Sequence, residues 1–71
     1  MTETKYETII YWDQQDEIFV VEVPELPGCK AHGRTKQEAL QQAERAASLW
    51  VESAQADGRT LPEPRGKLIY A

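Results

Sequence analysis

The stretch Pro24-Glu25-Leu26-Pro27-Gly28-Cys29-Lys30-Ala31-His32-Gly33-Arg34-Thr35 constrains this chain more than any other. Pro24 and Pro27 have no amide hydrogen to donate, so neither fits the middle of a sheet. Gly28 permits a positive φ or a bulge where the chain must turn back into another strand. Gly33 frees the backbone again, and Thr35 stands ready as a helix N-cap. Glu38 follows three residues later, so Thr35-Lys36-Gln37-Glu38 reads as a capping box. Strands therefore precede this segment and one helix follows it.

Upstream, residues 1–4 are polar and read as a frayed end. Tyr6 to Trp12 is aromatic and β-branched and predicts a strand. The polar run Asp13-Gln14-Gln15-Asp16-Glu17 reads as a hairpin loop. Ile18 to Val23 predicts a second strand, ended by Pro24, and Cys29 to His32 a short third. Downstream, the helix runs from Lys36 to about Ala56 or Asp57, with Gly58 as its stop. Leu40, Ala43, Ala47, Trp50, Val51 and Ala54 recur at spacings of three and four and make its apolar stripe. In this reading the alanines allow a close approach to the sheet and Trp50 supplies the bulk. Leu61-Pro62-Glu63-Pro64 is an extended connector, and Leu68-Ile69-Tyr70 reads as a last strand, parallel to the first by a right-handed crossover. The expected fold is α+β, in the order β-β-β-α-β: an antiparallel three-stranded meander, one long helix on one face, and sheet order 3-2-1-4.

Alternation divides the first hairpin into two faces. Ile9, Tyr11, Phe19, Val21 and Val23 make the more uniformly apolar set, which we assign to the helix side. The opposite set holds Tyr6, Thr8, Ile10, Trp12, Ile18, Val20 and Glu22. One helix cannot cover both faces, so Tyr6, Ile10, Ile18 and Val20 are expected to form an oligomer or partner surface.

With 71 residues the chain makes one small domain, and a domain of this size buries only ~60% of its unfolded surface. Self-association, as a homodimer or a higher homo-oligomer, is therefore expected. The formal charge of −4 argues against autonomous nucleic-acid binding and for a basic partner. The lone Cys29 forms no internal disulfide, and no signal peptide or long apolar run is present. A reducing cytoplasm is the expected compartment, with no membrane contact.

Chemistry is sparse. Asp13, Asp16 and Glu17 cluster in one loop but lack the calcium-loop spacing and its central glycine, so they read as solvated turn charges. Cys29 and His32 lie three apart and would face opposite sides of a strand, which disfavours both a shared metal and a nucleophile–base pair. Cys29 reads as a small buried residue beside the turn and His32 as a surface or interface residue. No catalytic residue, metal site or cofactor is predicted. Trp12 suits an interface and a satellite core equally.

The order of these features resembles the HicB antitoxin domain. The residues that carry the likeness are a Tyr-rich first strand, a short polar turn, Val23-Pro24-Glu25-Leu26-Pro27-Gly28-Cys29, Gly33-x-Thr35, Glu38-Ala39-Leu40, a late helical Trp, Gly58 and Leu61-Pro62-Glu63-Pro64. The resemblance spans about Tyr6 to Pro64 and implies a partial ribonuclease H-like fold. It implies an antitoxin that neutralises HicA, a small basic RNA-cleaving toxin with a catalytic His, by covering its active site. Dimers or larger assemblies are common in the family. Arg34 stands where members usually carry an acidic residue. The chain ends at Ala71, so the C-terminal DNA-binding segment of many members, and operator binding with it, is not expected. Ribonuclease H activity is not expected either, since it needs carboxylates from separated elements around metal.

The leading reading is thus a toxin-binding module. The alternatives are a solitary oligomeric domain of this family with another partner, and, third, a small enzyme resting on Cys29/His32 or the loop carboxylates. For the toxin we expect docking at the hairpin tip, through Trp12, Asp13, Asp16 and Glu17.

Overall fold

Two β-rich runs joined by a short polar loop can close only as a hairpin, and the computed structural model, which describes residues 4–64, shows one. β1 (Ile9–Asp13) pairs antiparallel with β2 (Ile18–Glu22), and β2 pairs antiparallel with β3 (Lys30–Gly33). The sheet order is β1-β2-β3, and a single helix, α1 (Lys36–Ala56), follows. The expected meander and helix are present. The last strand expected at Leu68-Ile69-Tyr70 lies outside the described residues.

Local chemistry explains the connections. Asp13 closes the first hairpin opposite Ile18, and its Oδ1 accepts from the amides of Gln15 (3.0 Å) and Asp16 (3.1 Å). This Asx-type turn replaces backbone partners that the loop lacks. Glu17 takes a left-handed φ of 52° to re-enter β2. In the second connection, the amides of Leu26 and Cys29 donate to the carbonyls of Val23 and Leu26, and Val23 N–H donates to the Cys29 carbonyl at 3.0 Å. Gly28 supplies the positive φ of 80° that this tight return requires.

The helix begins and ends where its caps place it. Thr35 Oγ1 accepts from the Glu38 amide at 3.0 Å. At the other end, the amides of Gly58 and Arg59 donate to the carbonyls of Gln55 and Ala54, with Gly58 at φ 71°. That pair of bonds is a Schellman stop. Ala39, Ala43, Ala47 and Ala54 are the buried residues of α1, so its backbone lies close to the sheet. Closest of all is Gly33, where an added Cβ would fall 2.4 Å from the Ala39 amide nitrogen. Gly33 is thus required for close approach and not for a left-handed turn.

The core falls into two clusters. Val21, Ala39 and Ala43 form one, flanked by Ile10, Phe19 and Ala31. Val23, Leu26, Cys29 and Ala47 form the other, flanked by Tyr6, Ala46 and Trp50. Bulk comes from Val21, Val23 and Leu26 rather than from the helix. Trp50 is half-buried at the margin, with Nε1–H donating to the Pro27 carbonyl at 2.9 Å and the Arg59 guanidinium 5.3 Å from its ring centre. Ala39 takes the buried position expected of Leu40, which is only half-buried.

The strands also correct the assignment of faces. Ile10 pairs with Val21 and Trp12 with Phe19, so Ile10 and Trp12 lie on the helix side of β1, and Ile9 and Tyr11 on the other. The face expected of Phe19, Val21 and Val23 holds, while that of β1 is reversed. The cause is the closing pair Asp13↔Ile18: a four-residue loop puts odd-numbered residues opposite even-numbered ones. A one-residue difference in register moves every side chain of a strand to the other face. Of the expected open surface, Ile18 and Val20 keep their place. Ile10 and Tyr6 pack instead against the core, and Tyr6 Oη donates to the Pro62 carbonyl at 2.6 Å.

Candidate functional site

Two adjoining surfaces remain after the core is accounted for. The first is the open face of the sheet, built by alternate residues of three strands. Across it run three cross-strand rows: Ile9, Glu22 and Lys30; then Tyr11, Val20 and His32; then Asp13 and Ile18. Ile9 is 39% exposed and Tyr11 40%, a large apolar share for a sheet face that no described element covers. A shallow depression of about 390 Å³ runs from Lys30 and His32 across Val20 and Ile18 to Tyr11, Asp13 and Asp16.

Polar groups on this face are organised. Tyr11 Oη donates to Glu22 Oε2 at 2.8 Å, and Lys30 Nζ lies 4.0 Å from the same oxygen. The hydrogen bond to the Glu22 carboxylate raises the Tyr11 phenol above its ordinary value; desolvation and the charges of Glu22 and Asp13 add to the effect. Lys30 and His32 line the β3 side, while Asp13 and Asp16 lie at the β1 hairpin.

The second surface is the hairpin tip. Asp16 and Glu17 are exposed there, whereas the Asp13 carboxylate is engaged in the turn. Trp12 is 50% exposed beside them on the helix side, its ring edge-on to Phe19 at 5.0 Å. Lys36 Nζ sits 5.9 Å from the Phe19 ring centre, so the start of α1 borders this aromatic pair.

Cys29 and His32 do not meet. Cys29 is buried in the core beneath the helix, and burial pushes its thiol pKa up. His32 is exposed opposite Val20 on the open face. No group of three or more His, Cys, Asp or Glu among the described residues is placed to hold a metal ion. No helix among them is long and apolar enough to cross a membrane.

The sequence reading missed Ile9, Tyr11, Lys30 and Leu26. The first two were hidden by the reversed face. Lys30 becomes part of the surface only through its pairing with Glu22. Leu26, 1% exposed, sits between two prolines in a segment read as a turn. Its size and apolarity among polar neighbours were the available signal.

An apolar sheet face that no described element covers, beside an acidic, aromatic hairpin tip, suits a binding protein, and comparison with known proteins points the same way. A UPF0150 protein of Thermoplasma acidophilum is 38% identical over 62 residues, covering 87% of this chain and 90% of that protein. A UPF0150 protein of Synechocystis is 43% identical over 44 residues, which is 62% of this chain and 60% of that relative. No solved structure matches the chain. The profile of a family described as the HicB-like antitoxin of bacterial toxin-antitoxin systems matches residues 6–68, which takes in every strand, the helix and both surfaces. With nearly its whole length matched, the chain belongs to the HicB-like antitoxin family.

Proposed function

We propose that this chain is the antitoxin of a toxin–antitoxin pair and neutralises a small, basic, RNA-cleaving toxin of the HicA type by protein–protein binding. The observation that carries the reading is the family match across residues 6–68. A net charge of −4 supports it, since an acidic protein is drawn to the positive face that an RNA-cleaving protein needs. The partial ribonuclease H-like fold that the resemblance implies belongs to the same reading, as does action in the cytoplasm without nucleic acid.

The docking site we assign to the toxin is the hairpin tip. Asp16 and Glu17 stand in for RNA phosphates, and Trp12 provides the apolar anchor beside them. Asp13 acts mainly by holding the loop, through its two backbone hydrogen bonds. The protein works as a binding partner, and no side chain is assigned a catalytic step.

The test begins by looking beside this chain's own reading frame for a small basic one carrying one prominent His; finding none counts against the reading. Expressed alone it arrests growth, and co-expression of this chain restores growth. Asp13→Asn, Asp16→Asn and Glu17→Gln together slow association and flatten its salt dependence, because rim charges act on the encounter. The Asn at 13 keeps an acceptor oxygen for the turn. Trp12→Ala instead speeds dissociation. A chain that neither binds such a toxin nor restores growth overturns the reading in favour of a solitary domain with another partner.

A further inference from the structure

The end of the molecule that carries Trp12 also carries a cation that helix electrostatics does not explain. α1 opens on Lys36, at the terminus where the macrodipole is positive and a carboxylate is favoured; Glu38 is the acidic residue of that first turn. Among the described residues Lys36 makes no ion pair. Its side chain is exposed, and Nζ lies 5.9 Å from the centre of the Phe19 ring. A cation–π contact at an exposed site offsets about what the misplaced charge costs, so the folded chain gains little from a lysine there.

What the contact does achieve is placement. Trp12, Phe19 and Gly33 stand in register across the three strands, and α1 starts just beyond Gly33. The Trp12 ring lies edge-on to Phe19 at 5.0 Å, and the Lys36 ammonium meets that same ring. A standard interface takes ~800 Å² from each partner, far more than one indole presents. A partner that buries the half-exposed Trp12 therefore covers Lys36 as well. An ammonium taken out of water without a counter-charge is costly, and a like charge opposite it costs more.

We propose that Lys36 is a specificity-determining residue of the toxin-docking surface, pairing with a carboxylate that the toxin carries beside the site where Trp12 lodges. The surface is then two-signed. Asp16 and Glu17 meet basic groups of the toxin, while Lys36 rejects a toxin whose face is basic throughout, so the same contact attracts one partner and repels others. Arg34 does not share this role: it is exposed and makes neither ion pair nor ring contact among the described residues. Nothing holds its charge beside Trp12. This inference rests on the reading of the chain as a toxin-binding protein that docks through Trp12, and the experiment separates the two.

Calorimetric titration of the full chain with the toxin identified by growth rescue, made harmless by replacing its prominent His with Ala, supplies the test. Lys36→Ala should weaken binding roughly tenfold and Lys36→Glu roughly a hundredfold, since the second change sets like charges opposite each other. The thermal midpoint of Lys36→Glu should not fall, because a carboxylate suits the start of a helix. A variant no less stable that binds worse is a result that a structural role would not give. Arg34→Glu, which reverses a neighbouring charge, should weaken binding by no more than about threefold. Replacing the toxin's carboxylates by Lys one at a time should find one change that weakens binding of the wild-type chain and restores binding of Lys36→Glu. If the wild-type chain and Lys36→Glu bind alike, Lys36 has no such role and the toxin reading stands. Equal losses from Arg34→Glu and Lys36→Glu, or no restoring change in the toxin, overturn the proposal in the same way. A wild-type chain that binds no such toxin overturns the toxin reading and this inference together.

Discussion

Among the described glycines, Gly33 should be the one least tolerant of an added methyl group. The Cβ would lie 2.4 Å from Ala39 N, 2.8 Å from the Glu38 carbonyl carbon and 2.9 Å from Ala39 Cα. All three are backbone atoms, so no side chain can rotate away. Restoring ordinary contact requires the first turn of α1 to retreat by about 1 Å, and a gap of that size forfeits a quarter to a half of each dispersion contact it opens. Ala39 and Ala43 pack on Val21 in that region, and all three are fully buried, so the loss falls on one of the two core clusters. Overpacking costs about 1–3 kcal/mol, and a rigid backbone clash belongs at the upper end. Against a total stability of roughly 4–10 kcal/mol for 71 residues, that is a large share. The midpoint of thermal unfolding should fall by roughly 10–25 °C. Gly58→Ala is the control: its φ is 71° but nothing lies within 4 Å, so only left-handed strain of about 1–2 kcal/mol applies. Urea melts of the two variants, read by far-UV circular dichroism, give the comparison. If Gly33→Ala is no more destabilising than Gly58→Ala, the helix is not seated on β3 as described.

Leu26→Ala, at a site 1% exposed, should cost about 2–5 kcal/mol in the same melts. It should exceed the cost of Trp50→Ala, since the indole is only half-buried; the reverse order would show that Trp50 holds the core. Glu17→Gly should stabilise the protein by about 0.5–1 kcal/mol, because glycine adopts the φ of 52° without strain. A destabilised variant would mean that the Glu17 side chain contributes to the fold. Raised by its bond to Glu22, the Tyr11 phenol should ionise above pH 10.0, seen as a high-pH ultraviolet step missing in Tyr11→Phe. The sign follows: a raised pKa favours the folded protein while the phenol is protonated, so this contribution is present below pH 10.0 and is lost as pH rises through the folded value. A Tyr11 step at or below pH 10.0 would show that the hydrogen bond to Glu22 is not formed in solution.

Much of the fold is legible along the chain because the forces that set it act over a few residues. Thr35 and Glu38 announce the helix start, since a cap needs only the amides of the next turn, and Gly58 announces its end for the same reason. Pro24, Pro27 and Gly28 mark the return between strands because each restricts or frees its own φ. The opposite placement of Cys29 and His32 follows from strand alternation alone. The open face of the sheet is different in kind. Which residues of β1 face the helix depends on whether the hairpin loop holds an odd or an even number of residues, and a polar run such as Asp13 to Glu17 does not declare its closing pair. Only the completed register sends Ile10 into the core and leaves Ile9 and Tyr11 outside with Val20. Gly33 and Leu26 owe their importance to atoms distant along the chain or reached through a turn: a helix backbone 2.4 Å from a missing methyl group, and a core closed over a loop. Local torsional and hydrogen-bonding preferences thus place the elements, while register and close packing, which exist only once the elements meet, decide which side chains are left for function.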